Sequence, residues 1–175
     1  MNALTINFED RSVRIELEGV GQFGNLLDAT GVISRISEFA AEPVARRTKQ
    51  DVGGGAVVVD SATGLMWDAS TTASEKTWSE AEAAAKALRL GGYDDWRLPT
   101  LDELESIRDI TKYNPAIDTG LFADTKSTYY WTASPAASGP DCAWIVNFYH
   151  GHAYLYNRSY RCAVRAVRSL SRASQ

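Results

Sequence analysis

The sequence predicts an α+β domain, in which two helices precede a mainly antiparallel set of strands. Two observations carry this. Two helix-opening signatures, Thr77-Trp78-Ser79-Glu80 and Thr100-Leu101-Asp102-Glu103, fall in the middle of the chain. After Pro115 the pattern changes to short aromatic and β-branched runs separated by turn residues.

Leu4-Thr5-Ile6-Asn7-Phe8 and Val13-Arg14-Ile15-Glu16-Leu17 alternate apolar and polar, which predicts a hairpin through Glu9–Ser12. Leu26, Leu27, Ile33, Ile36 and Phe39 predict a short helix or two within 25–41, stopped by Pro43. The polar stretch Arg46–Gln50 and the run Gly53-Gly54-Gly55 read as a junction. A boundary is therefore expected near residue 46, with residues 1–45 a small appendage (hairpin plus short helix) and 46–175 the main domain.

Ala56-Val57-Val58-Val59 reads as a strand, followed by a turn over Asp60–Gly64 and by Leu65-Met66-Trp67. At Thr77 the hydroxyl can accept from the Glu80 N–H while the Glu80 carboxylate reaches back, a capping box. Trp78, Ala81, Ala85 and Leu88 form the buried face of this helix, and Gly91-Gly92 end it. Thr100 and Glu103 repeat the device and open a second helix through Ile110, with Leu101, Leu104 and Ile107 inward. Tyr129-Tyr130-Trp131-Thr132 reads as a strand. Trp144, Val146 and Phe148 are expected to enter the core from one face of the next, and Ala153–Tyr156 to return after a turn at Gly151. Cys162–Arg168 is expected as one last strand.

At 175 residues and 45% hydrophobic content, the chain can bury a core without metal or disulfide. A net charge of -4 argues against a nucleic-acid partner. Arg158, Arg161, Arg165, Arg168 and Arg172 gather near the end, and the last three, interleaved with small apolar residues, read as an outward basic edge. No run approaches the roughly 18 apolar residues of a membrane span, and no signal peptide is evident. The expectation is synthesis in the cytoplasm without membrane insertion, with any role outside the cell reached by another route such as a virus particle.

Cys142 and Cys162 stand twenty positions apart. Two buried free thiols are the favoured reading, and a disulfide between neighbouring strands is the alternative. Trp67, Trp78, Trp96, Trp131 and Trp144 lie in apolar-periodic segments and are expected in the core rather than on a sugar-stacking surface. Asp94, Asp95, Asp118, Asp124 and Asp141 are too scattered for a calcium loop. His150 and His152 would share a strand face, but a third metal ligand is missing. No Gly-x-Ser-x-Gly elbow or triad appears, which argues against a hydrolase; neither catalysis nor a cofactor is expected.

The order Thr63-Gly64-Leu65-Met66-Trp67, Trp78-Ser79-Glu80-Ala81, Gly91-Gly92-Tyr93-Asp94-Asp95-Trp96-Arg97-Leu98-Pro99-Thr100, Tyr130-Trp131-Thr132-Ala133-Ser134, Ala143–Phe148 and Val164–Arg168 resembles the Lcl C-terminal-domain family. That resemblance covers about 46–169 and implies a C-type-lectin-like fold, related to formylglycine-generating enzymes. Those enzymes oxidise a substrate cysteine at a closely spaced cysteine pair, which this chain lacks. Within the family it looks like the variable protein of a diversity-generating retroelement, whose reverse transcriptase corrupts template adenines and causes massive sequence variation near the gene's 3′ end. The resemblance implies a variable region over about 143–168 and a ligand, protein or glycan, on another cell or particle. A non-diversified Lcl-type adhesion or glycan-binding domain is the alternative, and a relative of the formylglycine-generating enzymes is a third reading.

The implied receptor-binding residues are Tyr149, His150, His152, Tyr154, Leu155, Tyr156, Asn157, Ser159 and Tyr160. Four of the eight tyrosines fall in this window. Tyr gives a large, stiff, amphipathic surface at low entropic cost, and Asn and Ser adapt around it. Tyr, His, Asn, Ser and Leu are reachable from AAC codons through adenine changes. Lys, Glu, Gln, Met and Trp are not, and none occurs between Ile145 and Ser174.

Overall fold

The computed structural model describes residues 4–9, 12–17 and 46–170. The chain divides into two compact units, 1–44 and 45–175. In the first, β1 (Leu4–Glu9) and β2 (Ser12–Leu17) pair antiparallel from Leu4↔Leu17 to Glu9↔Ser12, the hairpin their alternation predicts. The helix expected within 25–41 lies outside the described residues.

In the second unit the order is β3 (Arg47–Val52), β4 (Gly55–Asp60), β5 (Leu65–Asp68), β6 (Ala73–Lys76), α1 (Trp78–Ala87), α2 (Leu101–Ser106), β7 (Tyr129–Pro135), β8 (Cys142–Asn147), β9 (His152–Asn157), β10 (Cys162–Val164) and β11 (Val167–Ser169). The strands form a five-stranded sheet, β6-β10-β7-β8-β9, and a four-stranded sheet, β11-β5-β4-β3. All pairings are antiparallel except β10 with β7, so the architecture is α+β with mainly antiparallel strands. Among the described residues no helix is long and apolar enough to cross a membrane.

Neighbouring residues of one strand enter different cores. Val57, Met66, Trp131, Ile145 and Val164 join Ala81, Ala85 and Trp96 in one cluster. Val58, Trp67, Tyr130, Val146 and Phe148 join Leu104 and Ile107 in another. Strands covered on both faces need continuous apolar runs, which is why β4 reads Val-Val-Val and β8 Ala-Trp-Ile-Val. The expectation that only one face of β8 is buried therefore fails: Ala143 and Ile145 are as buried as Val146 and Phe148. Trp144 is the exception, half-buried where β8 meets Leu155 of the edge strand. Trp67, Trp96 and Trp131 are the fully enclosed indoles.

Both helix starts form as the local sequence dictates. Glu80 accepts from the Thr77 N–H at 2.9 Å, and Glu103 accepts from the Thr100 N–H at 2.8 Å while Thr100 Oγ1 accepts from the Glu103 N–H at 3.2 Å. The second helix stops at Ser106 rather than reaching Ile110. Beyond it the Asp109 N–H turns to Ala116 O at 3.0 Å, leaving Ile110 exposed.

Three further expectations are corrected. The polar stretch from Arg46 is no mere junction, because 47–52 pairs with β4 in register from Arg47↔Asp60 to Val52↔Gly55. The last strand breaks at Arg165-Ala166 into β10 and β11, which belong to different sheets. Nor do Arg165 and Arg168 form an outward edge, since both are buried. Arg165 donates to Asp68 O (2.7 Å) and Thr125 Oγ1 (2.8 Å) and lies 4.8 Å from the Phe122 ring. Arg168 pairs with Asp95 at 2.6 Å and stacks 3.7 Å from the Tyr93 ring. Arg172 lies outside the described residues.

Asp60 is fully buried and bound by Arg47 Nε at 2.8 Å. Burial alone would raise its carboxyl, but Arg47, the Thr63 N–H and Arg46 together hold it below the ordinary value. At Glu103, too, burial opposes the shift and Arg97 and Thr100 reverse it. A depressed carboxylate stabilises the fold above its unfolded pKa and loses that contribution as pH falls through the folded one. Asp68 works oppositely, because burial raises it and favours its protonated form. The urea midpoint is therefore expected to fall as pH drops below about 4, and Asp60→Asn is expected to flatten that fall. Denaturation series between neutral and acidic pH check this.

Candidate functional site

The nine residues implied as ligand-binding lie on the β8–β9 hairpin and the loop behind it. The tip spans 148–151, and Gly151 takes φ 73°, a conformation that suits glycine. A Cβ there would stand 3.2 Å from the Ala116 Cβ, so the position is restricted by contact as well.

Residues outside the hairpin hold its backbone. Phe148 N–H donates to Thr128 O (3.0 Å), Ala116 N–H to Phe148 O (2.6 Å) and Asn114 N–H to Tyr149 O (3.2 Å). Arg108 Nη1 donates to Gly151 O. At the far end Arg158 N–H donates to Asp141 O (2.8 Å), Trp78 N–H donates to Arg158 O (3.0 Å), and the Arg158 guanidinium lies 4.1 Å from the Trp78 ring. The path of the chain is thus fixed by bonds to its own main chain, from neighbouring backbone and from the Arg108 side chain.

Apart from Asn157, whose Oδ1 accepts from the Ser159 N–H, the window side chains contribute little to that path. His150, His152, Tyr154, Leu155, Asn157, Ser159 and Tyr160 are exposed, and Tyr149 and Tyr156 are half-buried. Directly paired residues of an antiparallel ladder point to the same face. The pairs Asn147↔His152, Ile145↔Tyr154 and Ala143↔Tyr156 therefore place His152, Tyr154 and Tyr156 on one face. Tyr156 lies 5.1 Å from Tyr129 on β7 and 4.7 Å from Tyr160, centroid to centroid. At the tip, Tyr149 and His150 are 4.5 Å apart.

Three of the nine depart from this patch. Leu155 pairs with Trp144 and turns to the opposite face. Asn157 Oδ1 accepts from both the N–H (3.0 Å) and hydroxyl (2.8 Å) of Ser159, so these two close a turn. His150 stays in the patch beside Tyr149, but it sits in the tip rather than on β9 and so does not share a strand face with His152 as their spacing implied.

Residues from elsewhere complete the patch. Tyr113, exposed in the loop after α2, donates from its hydroxyl to the Tyr149 hydroxyl at 2.7 Å, and the rings meet edge-on at 5.0 Å. This hydrogen bond raises the Tyr113 phenol above its ordinary pKa. Between Tyr149 and Tyr129 lies a shallow pocket of about 190 Å³ lined by Ser127, Thr128, Tyr129, Asn147, Tyr149 and His150. Its lining is hydroxyl, amide, imidazole and aromatic. Asn147 Oδ1 also accepts from the Tyr149 N–H at 2.8 Å, which orders the pocket floor. Tyr113 and Tyr129 were missed as surface residues because they lie far from the window in sequence. The signal available for Tyr113 was an aromatic side chain among Lys112, Asn114 and Pro115.

The two cysteines are free, Cys142 half-buried and Cys162 buried. They are not on neighbouring strands, since β7 stands between β8 and β10. Burial pushes the Cys162 thiol up to about 12, the opposite of an activated thiolate.

A family model described as the Lcl C-terminal domain matches residues 56–168. No curated protein matches the chain.

Proposed function

Because this chain belongs to the Lcl C-terminal-domain family, matched from β4 into β11, we propose that it is a non-catalytic ligand-binding protein with a diversified surface. The scaffold is C-type-lectin-like, and the protein is the variable protein of a diversity-generating retroelement. Its ligand is a protein or glycan on another cell or particle, and it binds neither nucleic acid nor the membrane interior. The observation that carries this reading is the separation of backbone and side chains in the β8–β9 hairpin. Main-chain bonds from Thr128, Asn114, Ala116 and Trp78 fix its course, while seven of the nine window side chains are exposed. Such a segment is expected to tolerate most side-chain replacements that keep its backbone bonds.

The deciding experiment is sequencing of the flanking DNA. A near-copy of the gene's 3′ end, with adenines at the codons for Tyr149–Tyr160, is expected beside a reverse transcriptase gene. A flank without that repeat would sink the diversified reading. The pocket of hydroxyl, amide and aromatic groups would then favour a fixed adhesion or glycan-binding domain.

The absence of catalysis is a proposal too, supported by the separation of Cys142 and Cys162 and the raised Cys162 thiol. Purified protein, with or without copper or calcium, is expected to leave a sulfatase-type cysteine peptide unoxidised. Formylglycine formation that disappears when both cysteines are replaced by serine overturns it.

A further inference from the structure

In residues 46–170 four strands lie at sheet margins: β3, β6, β9 and β11. Three are charged or closed. β3 carries Arg47, Lys49 and Asp51. On β6, the carbonyls of Glu75 and Lys76 accept from Arg161 Nη1 and Trp131 Nε1, both at 2.8 Å. On β11, Val167 exchanges both of its backbone bonds with Arg97 at 2.9 Å. β9 has none of these devices. Its sequence, His-Ala-Tyr-Leu-Tyr-Asn, contains no charge that is fixed at neutral pH and no proline, and it pairs with β8 over six residues without a register shift. A bare edge of this kind is a template for another strand.

The ladder shows which backbone groups are free. The Arg158 N–H donates to Asp141 O one step beyond the Cys142↔Asn157 pair. Antiparallel bonding alternates along a strand. His152, Tyr154 and Tyr156 share the parity of Arg158 and so bond to β8. Ala153, Leu155 and Asn157 turn their N–H and C=O groups outward. The Asn157 carbonyl is taken by the Tyr160 N–H at 3.0 Å. Among the described residues, no hydrogen bond reaches the outward N–H or C=O of Ala153 or Leu155.

We propose that the β9 edge takes an extended segment of a protein ligand as a sixth strand. The inference rests on the ligand-binding reading above and selects protein over glycan. Alternating donors and acceptors at strand spacing are matched by another polypeptide backbone, and a sugar has no such ladder. The side chains flanking the edge are uncharged aromatics and apolar groups, Tyr154 and Tyr156 on one face and Leu155 with Trp144 on the other. The complementary segment is therefore a neutral one, rich in aromatic and β-branched residues. Main-chain pairing supplies a docking mode that every side-chain variant of the hairpin shares, and His152, Tyr154 and Tyr156 select among segments.

The test selects binders from displayed random linear peptides with the full chain as bait. Enriched peptides are then titrated against wild type, Leu155→Ala, Leu155→Pro and Tyr154→Ala. Proline at 155 removes an outward N–H and no ladder bond, and Leu155→Ala controls for the lost side chain. Should Leu155→Pro fail to fold by circular dichroism, Ala153→Pro takes its place. The expected result is binding at least about tenfold weaker in the proline variant than in Leu155→Ala. N-methylation of the peptide should also abolish binding at one alternate set of residues and spare the other. Equal binding by the alanine and proline variants, or indifference to N-methylation, overturns the proposal. If Tyr154→Ala alone then weakens binding, side-chain recognition stands without the edge. Failure to enrich any peptide also overturns it, and glycan-array binding in that case keeps the broader ligand-binding reading. A concentration-dependent dimer abolished by Leu155→Pro assigns the edge to a second copy and overturns the foreign partner.

Discussion

Replacing Trp96 with alanine is expected to lower the unfolding free energy by about 3–5 kcal/mol, the usual loss for a buried indole. Trp96 is fully enclosed in the core cluster that also holds Val57, Met66 and Leu98, and its Nε1 donates to Leu90 O at 3.2 Å. Truncation removes that bond and leaves a cavity in that cluster. Trp131, equally buried and bonded from Nε1 to Lys76 O at 2.8 Å, is expected to behave alike. Tyr154→Ala is expected to cost less than about 1 kcal/mol, because the ring is exposed on an edge strand. Trp144→Ala is expected to fall between them, since that indole is half-buried. Urea denaturation of the four variants checks the order. Equal losses at Trp96 and Tyr154 would show the hairpin tyrosines to be core and would remove the main support for a binding surface.

Arg165→Ala is expected to cost about 3 kcal/mol or more, from two lost charge-assisted hydrogen bonds in a site closed to water. The guanidinium joins Asp68 O on β5 to Thr125 Oγ1 and packs on Phe122, so its loss takes the charged donor from Asp68 O, while the Thr125 hydroxyl keeps its bond to Phe122 O. Arg165→Lys is expected to recover only part, because an ammonium lacks the planar fork that reaches both oxygens. A surface arginine would give near-zero change in both variants, and the same denaturation measurement separates the outcomes. Burial lowers the pKa of Arg165, whose positive charge stands near Asp68 and Asp124.

What was legible in the sequence was local or strongly patterned. The capping boxes at Thr77 and Thr100 need only four consecutive residues, and Val57–Val59 favour a strand in any context. The hairpin around Gly151 was legible because one glycine separates two β-favouring runs. What escaped was set by distant partners. Arg47-Thr48-Lys49-Gln50-Asp51 has no strand composition and becomes one by pairing with β4. The inward turn of Arg165 depends on an acceptor 97 residues away. In the candidate site the window itself was readable from its tyrosines. Strand alternation already divides Leu155 from Tyr154 and Tyr156, but which β8 residues they face needed the register, and Tyr113 joins from 36 positions away.

The alternation of ladder bonds along β9 sets a yield on any repertoire drawn there. Proline is among the residues that adenine corruption of an AAC codon can produce. At His152, Tyr154 or Tyr156 a proline would delete a main-chain bond to β8 and unseat the strand, whereas at Ala153 or Leu155 it would remove only an outward group. Diversification on the aromatic face would therefore discard a share of its own draws as misfolded chains, and the same lottery on the opposite face would lose none for that reason. A population of sibling genes would carry this asymmetry as proline scattered over 153 and 155 and missing from 152, 154 and 156.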